Sequence, residues 1–167
     1  MTRAYLSVFA AVSLAAIPVT APAQAAKALY QLSSGSPLVR ADDGSLIFRA
    51  CGGPLRPSSC PIAAADQQWS YDSVRHRLVH VPTGTCLRAW MDASTAAHVA
   101  LGRCSLSGTR WTRSNLPHYQ VWTLESESVG RCLTSGLRRR GPIVEVNPRA
   151  ALAPCNSSAS QQFNTGP

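Results

Sequence analysis

The segment 84–111, GTCLRAWMDASTAAHVALGRCSLSGTRW, contains the pattern that decides the fold. It has a cysteine–leucine pair near its start, then a second cysteine, and an aromatic residue at its end. The same pattern recurs once after this segment and, in a more divergent form, once before it. The first cysteine, second cysteine and closing aromatic lie at Cys86, Cys104 and Trp111, at Cys132, Cys155 and Phe163, and at Cys51, Cys60 and Trp69. Because a repeated supersecondary unit decides an architecture, the chain is predicted to be built from three similar units.

The distance from the second cysteine to the aromatic residue is nearly constant, at 9, 7 and 8 residues in chain order. The two cysteines of each copy are instead 9, 18 and 23 residues apart, as expected for a surface loop that tolerates changes in length. Gln120-Val121-Trp122 is a more literal Gln-x-aromatic match than Thr109-Arg110-Trp111, but it lies only 10 residues before Cys132. We therefore assign the closing position to Trp111 and predict a strand over 120–124.

The first 25 residues have the features of a secretory signal. Arg3 provides a short positive head, an apolar run follows from Ala4 to about Ala16, and Ala23-Gln24-Ala25 is a small-residue cleavage site. The apolar run is too short for a membrane span and no later stretch approaches the required length of about 18 residues. The sequence thus predicts a signal peptide over 1–25, one mature domain over 26–167, and secretion to the periplasm or the outside of the cell.

All six cysteines lie after the predicted signal, and an even number in an exported chain predicts three disulfides. Six cysteines can pair in 15 ways, and the repeat interpretation selects one of them. A zinc site is disfavoured because no Cys-x-x-Cys pair or histidine pair at ligand spacing occurs. We expect neither a metal nor a cofactor. The predicted pairs are Cys51 with Cys60, Cys86 with Cys104, and Cys132 with Cys155.

The charge balance is strongly basic, since the full chain has 16 Lys and Arg residues against 8 Asp and Glu. Such a balance favours acidic partners such as nucleic acid, anionic glycans or an acidic protein surface. An alternative is codon bias, because the chain is rich in alanine and Lys27 is its only lysine. The charge alone does not distinguish the two.

Short runs of strand-favouring residues, separated by Gly, Pro and Asp, follow one another along the chain, and no helical periodicity occurs outside the predicted signal. This indicates an all-β protein, and three similar units indicate a β-trefoil with threefold pseudosymmetry. The closing aromatics Trp69, Trp111 and Phe163 are expected to share its core. Strands are predicted over 29–32, 37–39, 45–51, 77–81, 86–90, 98–101, 120–124 and 143–146, with turns at 42–44, 71–72, 82–84 and 129–131.

These residues resemble the ricin B-type β-trefoil lectin domains, which have Cys-Leu openings, a second cysteine and a Gln-x-Trp motif near each repeat's end. Cys86-Leu87, Cys132-Leu133, Gln67-Gln68-Trp69 and Gln161-Gln162-Phe163 carry the resemblance, over 46–163. Within that family the pattern looks most like the two non-catalytic accessory subunits of bacterial cytolethal distending toxins. That likeness implies a cell-binding delivery subunit that assembles with a second trefoil and a DNase I-like subunit.

The resemblance also indicates where a sugar would bind, because the family's lectins carry an aspartate just after Cys-Leu. This position holds Arg88 in the middle repeat and Thr134 in the last. Arg88 has only donors and suits an acidic group better than neutral galactose, whereas Thr134 can accept one hydrogen bond. Trp90, Phe48 and Trp122 are candidates for the stacking aromatic, although core packing is the expected use of each. Asn147, Gln161 and Gln67 are candidate hydroxyl partners, and for the two glutamines we expect a role in locking a turn.

Two other features suggest different chemistry. Arg138, Arg139 and Arg140 form a charge cluster inside the longest cysteine interval, where they could dock an anionic partner or be a solvated loop. His76, His80, His98 and His118 with many arginines permit an Arg/His-dependent nuclease as a rival hypothesis, but no motif brings them together.

The sequence thus predicts a secreted protein that binds and does not catalyse, with a cell-surface glycan or glycolipid as its partner. Direct nucleic-acid binding is not expected. A stand-alone lectin, or an interaction trefoil with degenerate sugar pockets, is the alternative to the toxin subunit.

Overall fold

The structure, a computed structural model, describes residues 26–49, 65–116, 120–136 and 148–165. It contains twelve strands in these ranges, and they fall into three successive groups of four. No helix in these ranges is long and apolar enough to cross a bilayer. The first group is β1 (Lys27–Gln31), β2 (Leu38–Arg40), β3 (Leu46–Phe48) and β4 (Gln68–Asp72); the second is β5 (Arg77–His80), β6 (Thr85–Met91), β7 (Ala97–Gly102) and β8 (Trp111–Asn115); the third is β9 (Trp122–Ser126), β10 (Arg131–Ser135), β11 (Ala150–Ala153) and β12 (Phe163–Thr165).

The outer two strands of each group form a six-stranded barrel. Strand β1 pairs with β4 and β12, β4 with β5, and β9 with β8 and β12. The backbone N–H of Trp111 donates to the carbonyl of His76 at 2.7 Å and joins the start of β8 to the start of β5. The inner two strands of each group form a hairpin, namely β2–β3, β6–β7 and β10–β11. This arrangement confirms the predicted all-β trefoil.

A glycine turn begins the hairpin in each repeat and shows the pseudosymmetry directly. The three glycines have φ of 62°, 63° and 64°, in the left-handed region that a side chain disfavours. Each donates its N–H to the carbonyl four residues earlier, at 2.8–2.9 Å. A fully buried leucine follows each glycine by three residues, in the pairs Gly35 and Leu38, Gly84 and Leu87, and Gly130 and Leu133.

The closing aromatics lie in the core as predicted. Trp69 and Trp111 donate their indole N–H to the carbonyls of Leu38 and Leu87, each at 2.9 Å. Phe163 has no such donor and packs against other aromatic rings instead. The choice of Trp111 as the closing residue is therefore confirmed, because it makes the same contact in its repeat as Trp69. The other core residues are Leu29, Leu38, Leu46, Phe48, Leu78, Leu87, Ala89, Trp122, Leu124 and Leu133.

The start of the first repeat differs from the prediction. Since Leu38 and Leu87 accept the equivalent indole hydrogen bonds, Pro37 occupies the place that Cys86 has in the second repeat. The assignment of Cys51 as the opening cysteine is thus wrong, because the buried leucine after the glycine turn marks the repeat and the cysteine does not. Cys51 and Cys60 lie outside the described residues, so their pairing stays a prediction.

Two predicted disulfides are confirmed. Cys86 bonds to Cys104 and Cys132 bonds to Cys155, with Cα–Cα distances of 4.9 and 5.0 Å. Each ties the first part of a hairpin to the loop that follows it. A disulfide that closes a loop of about 20 residues typically contributes about 2–4 kcal/mol to stability.

Five strands were not predicted. They are β4, β8 and β12, each of which begins at or next to a closing aromatic, and the hairpin strands β10 and β11. The turn expected at Tyr71-Asp72 begins after these residues, and Asp72 Oδ1 accepts the N–H groups of Val74 and Arg75 there. The strand predicted over 143–146 lies outside the described residues, and the partner of β10 is β11.

Candidate functional site

The β6–β7 hairpin carries a row of flat polar side chains on its outer face. Leu87 and Ala89 point into the core, whereas Arg88 and Trp90 alternate with them and are half-buried. The Arg88 guanidinium carbon lies 4.8 Å from the centroid of the Trp90 ring. His98, directly opposite Trp90 in the hairpin, stacks on the indole at 5.3 Å with an interplanar angle of 20°. We call Arg88, Trp90 and His98 the hairpin row.

The turn of the hairpin holds one end of this row in place. Asp92 Oδ1 accepts hydrogen bonds from the N–H and hydroxyl of Ser94 and from the N–H of Ala96, at 2.7–2.9 Å. Its other oxygen lies 2.6 Å from His98 Nε2. The hydrogen bonds from Ser94 and His98 lower the pKa of Asp92, which is therefore a carboxylate at neutral pH. The side chains of His98 and Asp92 are 43% and 38% exposed, so solvent reaches this end of the row.

Arg88 is held at the other end of the row. Its Nε–H donates to the carbonyl of Ser107 at 2.9 Å, in the loop that precedes Trp111. Gly102 makes room for the side chain, since a Cβ there would lie 3.3 Å from Arg88 Cδ and 3.4 Å from the exposed Leu106. The terminal guanidinium nitrogens have no hydrogen bond or ion pair in the described part of the chain. They remain donors for an external acceptor.

The last repeat uses its candidate side chains internally. Thr134 is only 7% exposed and donates its hydroxyl to the Ser160 carbonyl at 3.3 Å. Gln161 is fully buried, donates Nε2–H to Pro154 O at 2.8 Å and accepts from the N–H of Asn156 at 2.9 Å. Gln161 thus locks the loop after Cys155.

The first repeat offers no polar group at the equivalent position. The register of β2 places Val39 where Arg88 and Thr134 lie in the other repeats, and Val39 is buried. Val39 was not a predicted site residue because the first repeat was expected to open at Cys51. Of the three equivalent positions, only Arg88 combines partial exposure with terminal donors that are not used within the protein.

The remaining candidates lie elsewhere. Phe48 and Trp122 are in the core, as expected, whereas Trp90 is not. Gln67 is buried, like its equivalents Thr109 and Gln161. The candidates Asn147, Arg138, Arg139 and Arg140, and also His118, lie outside the described residues.

The three described histidines do not converge. His76 Nδ1 lies 2.7 Å from Glu127, which also accepts from Arg110. His80 is fully buried between Thr83 and the Asp66 carbonyl, and burial lowers its pKa. No group of three or more His, Cys, Asp or Glu side chains suited to a metal occurs within 26–49, 65–116, 120–136 and 148–165.

Asp92 was not predicted to be part of this surface, and His98 was expected to be only a scattered histidine. The signal was present in Asp-Ala-Ser-Thr at 92–95, which is typical of a turn in which Asp caps the backbone. A two-stranded register across that turn places His98 opposite Trp90.

No protein-family model matches the chain, and no curated protein matches it. Solved structures do match over most of its length. The designed threefold-symmetric protein ThreeFoil has a TM-score of 0.61 at 14% identity, with 83% of this chain and 96% of that chain covered. The ricin B-like lectin of Macrolepiota procera, solved in complex with lactose, has a TM-score of 0.62 at 11% identity, covering 87% and 97%.

A chain of the cytolethal distending toxin from Actinobacillus actinomycetemcomitans also matches, with a TM-score of 0.56 at 19% identity and 85% and 90% of the two chains covered. Identities this low show the fold and not the activity. These structural matches, together with the threefold hairpins, the buried closing aromatics and the two hairpin disulfides, support one structural conclusion. The chain has the ricin B-like β-trefoil lectin fold.

Proposed function

We propose that this protein is a secreted, non-catalytic carbohydrate-binding protein, and that the hairpin row binds an acidic sugar. The observation that carries the proposal is the half-exposed Arg88 beside Trp90 and His98, at the position where the lectins that the sequence resembles carry an aspartate. An aspartate accepts hydrogen bonds from sugar hydroxyls, whereas a guanidinium donates and carries a positive charge. The change in residue therefore changes the preferred ligand from a neutral to an anionic sugar.

The geometry suits a carboxylate-bearing sugar such as a sialic acid. A guanidinium presents its donors in a planar fork that matches the two oxygens of a carboxylate. The hydrogen bond to Ser107 O and the contact with Trp90 hold this fork in one orientation before a ligand arrives. The apolar face of the sugar ring would lie beside the indole and imidazole rings.

The candidate residues of the last repeat are less accessible to a ligand than Arg88. Thr134 and Gln161 would have to give up internal hydrogen bonds to contact a ligand, which costs about 1–3 kcal/mol for each buried group left without a partner. Asn147 remains a candidate hydroxyl partner, and the arginines at 138–140 remain candidates for docking an anionic partner.

We further propose that the protein is a cell-binding delivery subunit of a cytolethal-distending-type toxin, made with a signal peptide over 1–25 and a trefoil domain over 26–167. The fold match to a chain of that toxin and the Gly-Arg-Cys-Leu-Thr opening at 130–134 support this version. The two hairpin disulfides fit an oxidising compartment. A neighbouring gene for a DNase I-like protein and co-purification of the two products are expected, and their absence would favour a stand-alone lectin or an interaction trefoil.

A glycan array tests the ligand class. The protein is expected to bind the immobilised sialylated glycans and to dissociate from them at higher salt. Their asialo forms should bind it weakly. Arg88→Gln should remove this preference, and Arg75→Gln, on the exposed β4–β5 turn, is the matched charge control. Equal binding of acidic and neutral glycans, or an unchanged preference in Arg88→Gln, would contradict the proposal. Degradation of RNA or DNA by the purified protein would instead favour the nuclease.

A further inference from the structure

A cavity of about 310 Å³ lies among the barrel strands and shares no lining residue with the proposed sugar site. Each of the six barrel strands contributes at least one lining residue, so the cavity lies where the strands converge around the pseudo-threefold axis. Its apolar walls include Leu29, Trp69, Leu78 and Trp122. The volume is at the small end of the range for small-molecule sites.

The cavity exists because the threefold pattern breaks at one layer of the barrel. The residues two positions after the closing aromatics are Tyr71, Arg113 and Thr165, and all three line the cavity. Barrel interiors are normally filled by layers of apolar side chains. A phenol, a guanidinium and a threonine do not fill such a layer, and they leave space with a positive charge beside it.

Arg113 has no compensating charge in the described residues. Its guanidinium carbon lies 4.6 Å from the Trp122 ring centroid and 5.9 Å from that of Tyr71. Its Nε is buried without a hydrogen-bond partner, and none of the ion pairs between described residues includes it. Burial raises the pKa of Tyr71, whose hydroxyl donates to Trp111 O, so the phenol stays neutral. A buried donor on a cation is costly to leave without an acceptor.

Two of the carboxylates near these strands are already engaged in ion pairs, and a third, Glu125 of β9, lies opposite Thr112 and thus one position away from Arg113 in the register. Asp72 accepts from Arg75, and Glu127 accepts from Arg110 and contacts His76. Lys27, at the start of β1, adds a second positive charge to the cavity lining and also has no ion-pair partner among the described residues. The cavity thus combines aromatic walls with two uncompensated cations.

We propose that this cavity binds a small aromatic anion, a carboxylate or sulfonate carried on a one- or two-ring body. The rings would pack against Trp69 and Trp122, and the anionic group would accept hydrogen bonds from Arg113, with Lys27 adding charge at the opening. A neutral ligand of the same shape fills the apolar space but leaves Arg113 without an acceptor.

Isothermal titration with 2-naphthoate, and with 2-naphthylmethanol as its neutral counterpart, tests this inference on the purified protein. Saturable one-to-one binding of 2-naphthoate is expected, with an affinity at least about tenfold above that of the alcohol, as a charge-assisted hydrogen bond contributes a factor of this size. Arg113→Gln should lower the 2-naphthoate affinity by about tenfold. Arg103→Gln, an exposed arginine at the end of the hairpin, should not.

Near-UV circular dichroism shows whether Arg113→Gln keeps the native packing. If it does not, the 2-naphthoate affinity of Lys27→Gln tests the proposal instead, since Lys27 is exposed. Absence of saturable binding, equal affinity for acid and alcohol, or an unchanged affinity in the folded Arg113→Gln and Lys27→Gln variants would overturn the proposal. Trp90→Ala is expected to leave 2-naphthoate binding intact, which separates this cavity from the proposed sugar site.

Discussion

Gly108 joins the hairpin row to the closing segment of its repeat, and replacing it with alanine should destabilise the protein strongly. Its φ is +81°, and its carbonyl accepts the N–H of Ala89, the residue between Arg88 and Trp90, at 2.8 Å. A Cβ at this position would overlap the carbonyl oxygen of Ala89 and lie 3.2 Å from its carbonyl carbon. Backbone cannot rotate out of the way as a flexible side chain can, so β6 must move.

The expected magnitude follows from two separate contributions. A non-glycine residue in the left-handed region costs about 1–2 kcal/mol. Displacing β6 also breaks the Ala89–Gly108 hydrogen bond in the core, which costs about 1–3 kcal/mol more. Gly108→Ala is therefore expected to lower the free energy of unfolding by about 3–5 kcal/mol. Gly84→Ala is the control, because Gly84 has a φ of +63° but nothing within 4 Å of a Cβ, and it should cost only about 1–2 kcal/mol.

Urea unfolding followed by tryptophan fluorescence measures both variants, with equal slopes confirming that the midpoint reports stability. If Gly108→Ala costs no more than Gly84→Ala, β6 is not held against the closing segment as described.

Two further substitutions test the core in the same assay. Trp111→Phe copies the third repeat and should cost about 1–3 kcal/mol, because the buried Leu87 carbonyl loses its indole donor; an unchanged midpoint would exclude a contribution from this bond. Burial lowers the pKa of His80 below its value in the unfolded chain, so the folded state disfavours the protonated form. The contribution of neutral His80 to stability is therefore fully present above about pH 6.5, and it is lost as the pH decreases through the folded pKa. His80→Gln, which copies Gln31 of the first repeat, should reduce the loss of stability between pH 7.5 and 5.5, and an undiminished loss would assign it to other groups.

The fold could be predicted because each repeat contains the same types of residue at similar positions in the sequence. Three features recur at related spacings, namely buried leucines after glycine turns, two cysteine pairs and the closing aromatics. Few architectures are built from three repeated β units. Strands β4, β8 and β12 escaped prediction for a physical reason. In β8, Trp111 is the only fully buried side chain of five and polar residues follow it, so neither an apolar run nor a clear alternation marks the strand.

Strand β11 was also not predicted from the sequence. It reads Ala-Ala-Leu-Ala at 150–153, and alanine has little preference for strands. Pairing with β10, with Leu152 opposite Leu133, holds it in place. Tertiary contacts here determine a structure that local propensity does not favour.

The candidate site was predicted only in part. Arg88 followed from the resemblance, but core packing was expected for Trp90, because large aromatics are usually buried. The alternation Leu87-Arg88-Ala89-Trp90 does indicate that Trp90 shares a face with Arg88. The contacts with His98 and Asp92 depend on the hairpin register, which spacing alone did not fix.

The most direct test of the proposed function is to locate an acidic sugar on the protein by NMR. The four tryptophan indole N–H signals are resolved by substitution and followed while 3′-sialyllactose is added, with lactose as the neutral control. The proposal predicts that the Trp90 signal shifts with 3′-sialyllactose, that the buried Trp69 and Trp111 signals do not, and that Arg88→Gln abolishes the shift. A Trp90 signal that stays in place while the protein binds the sugar, or an equal response to lactose, would contradict it.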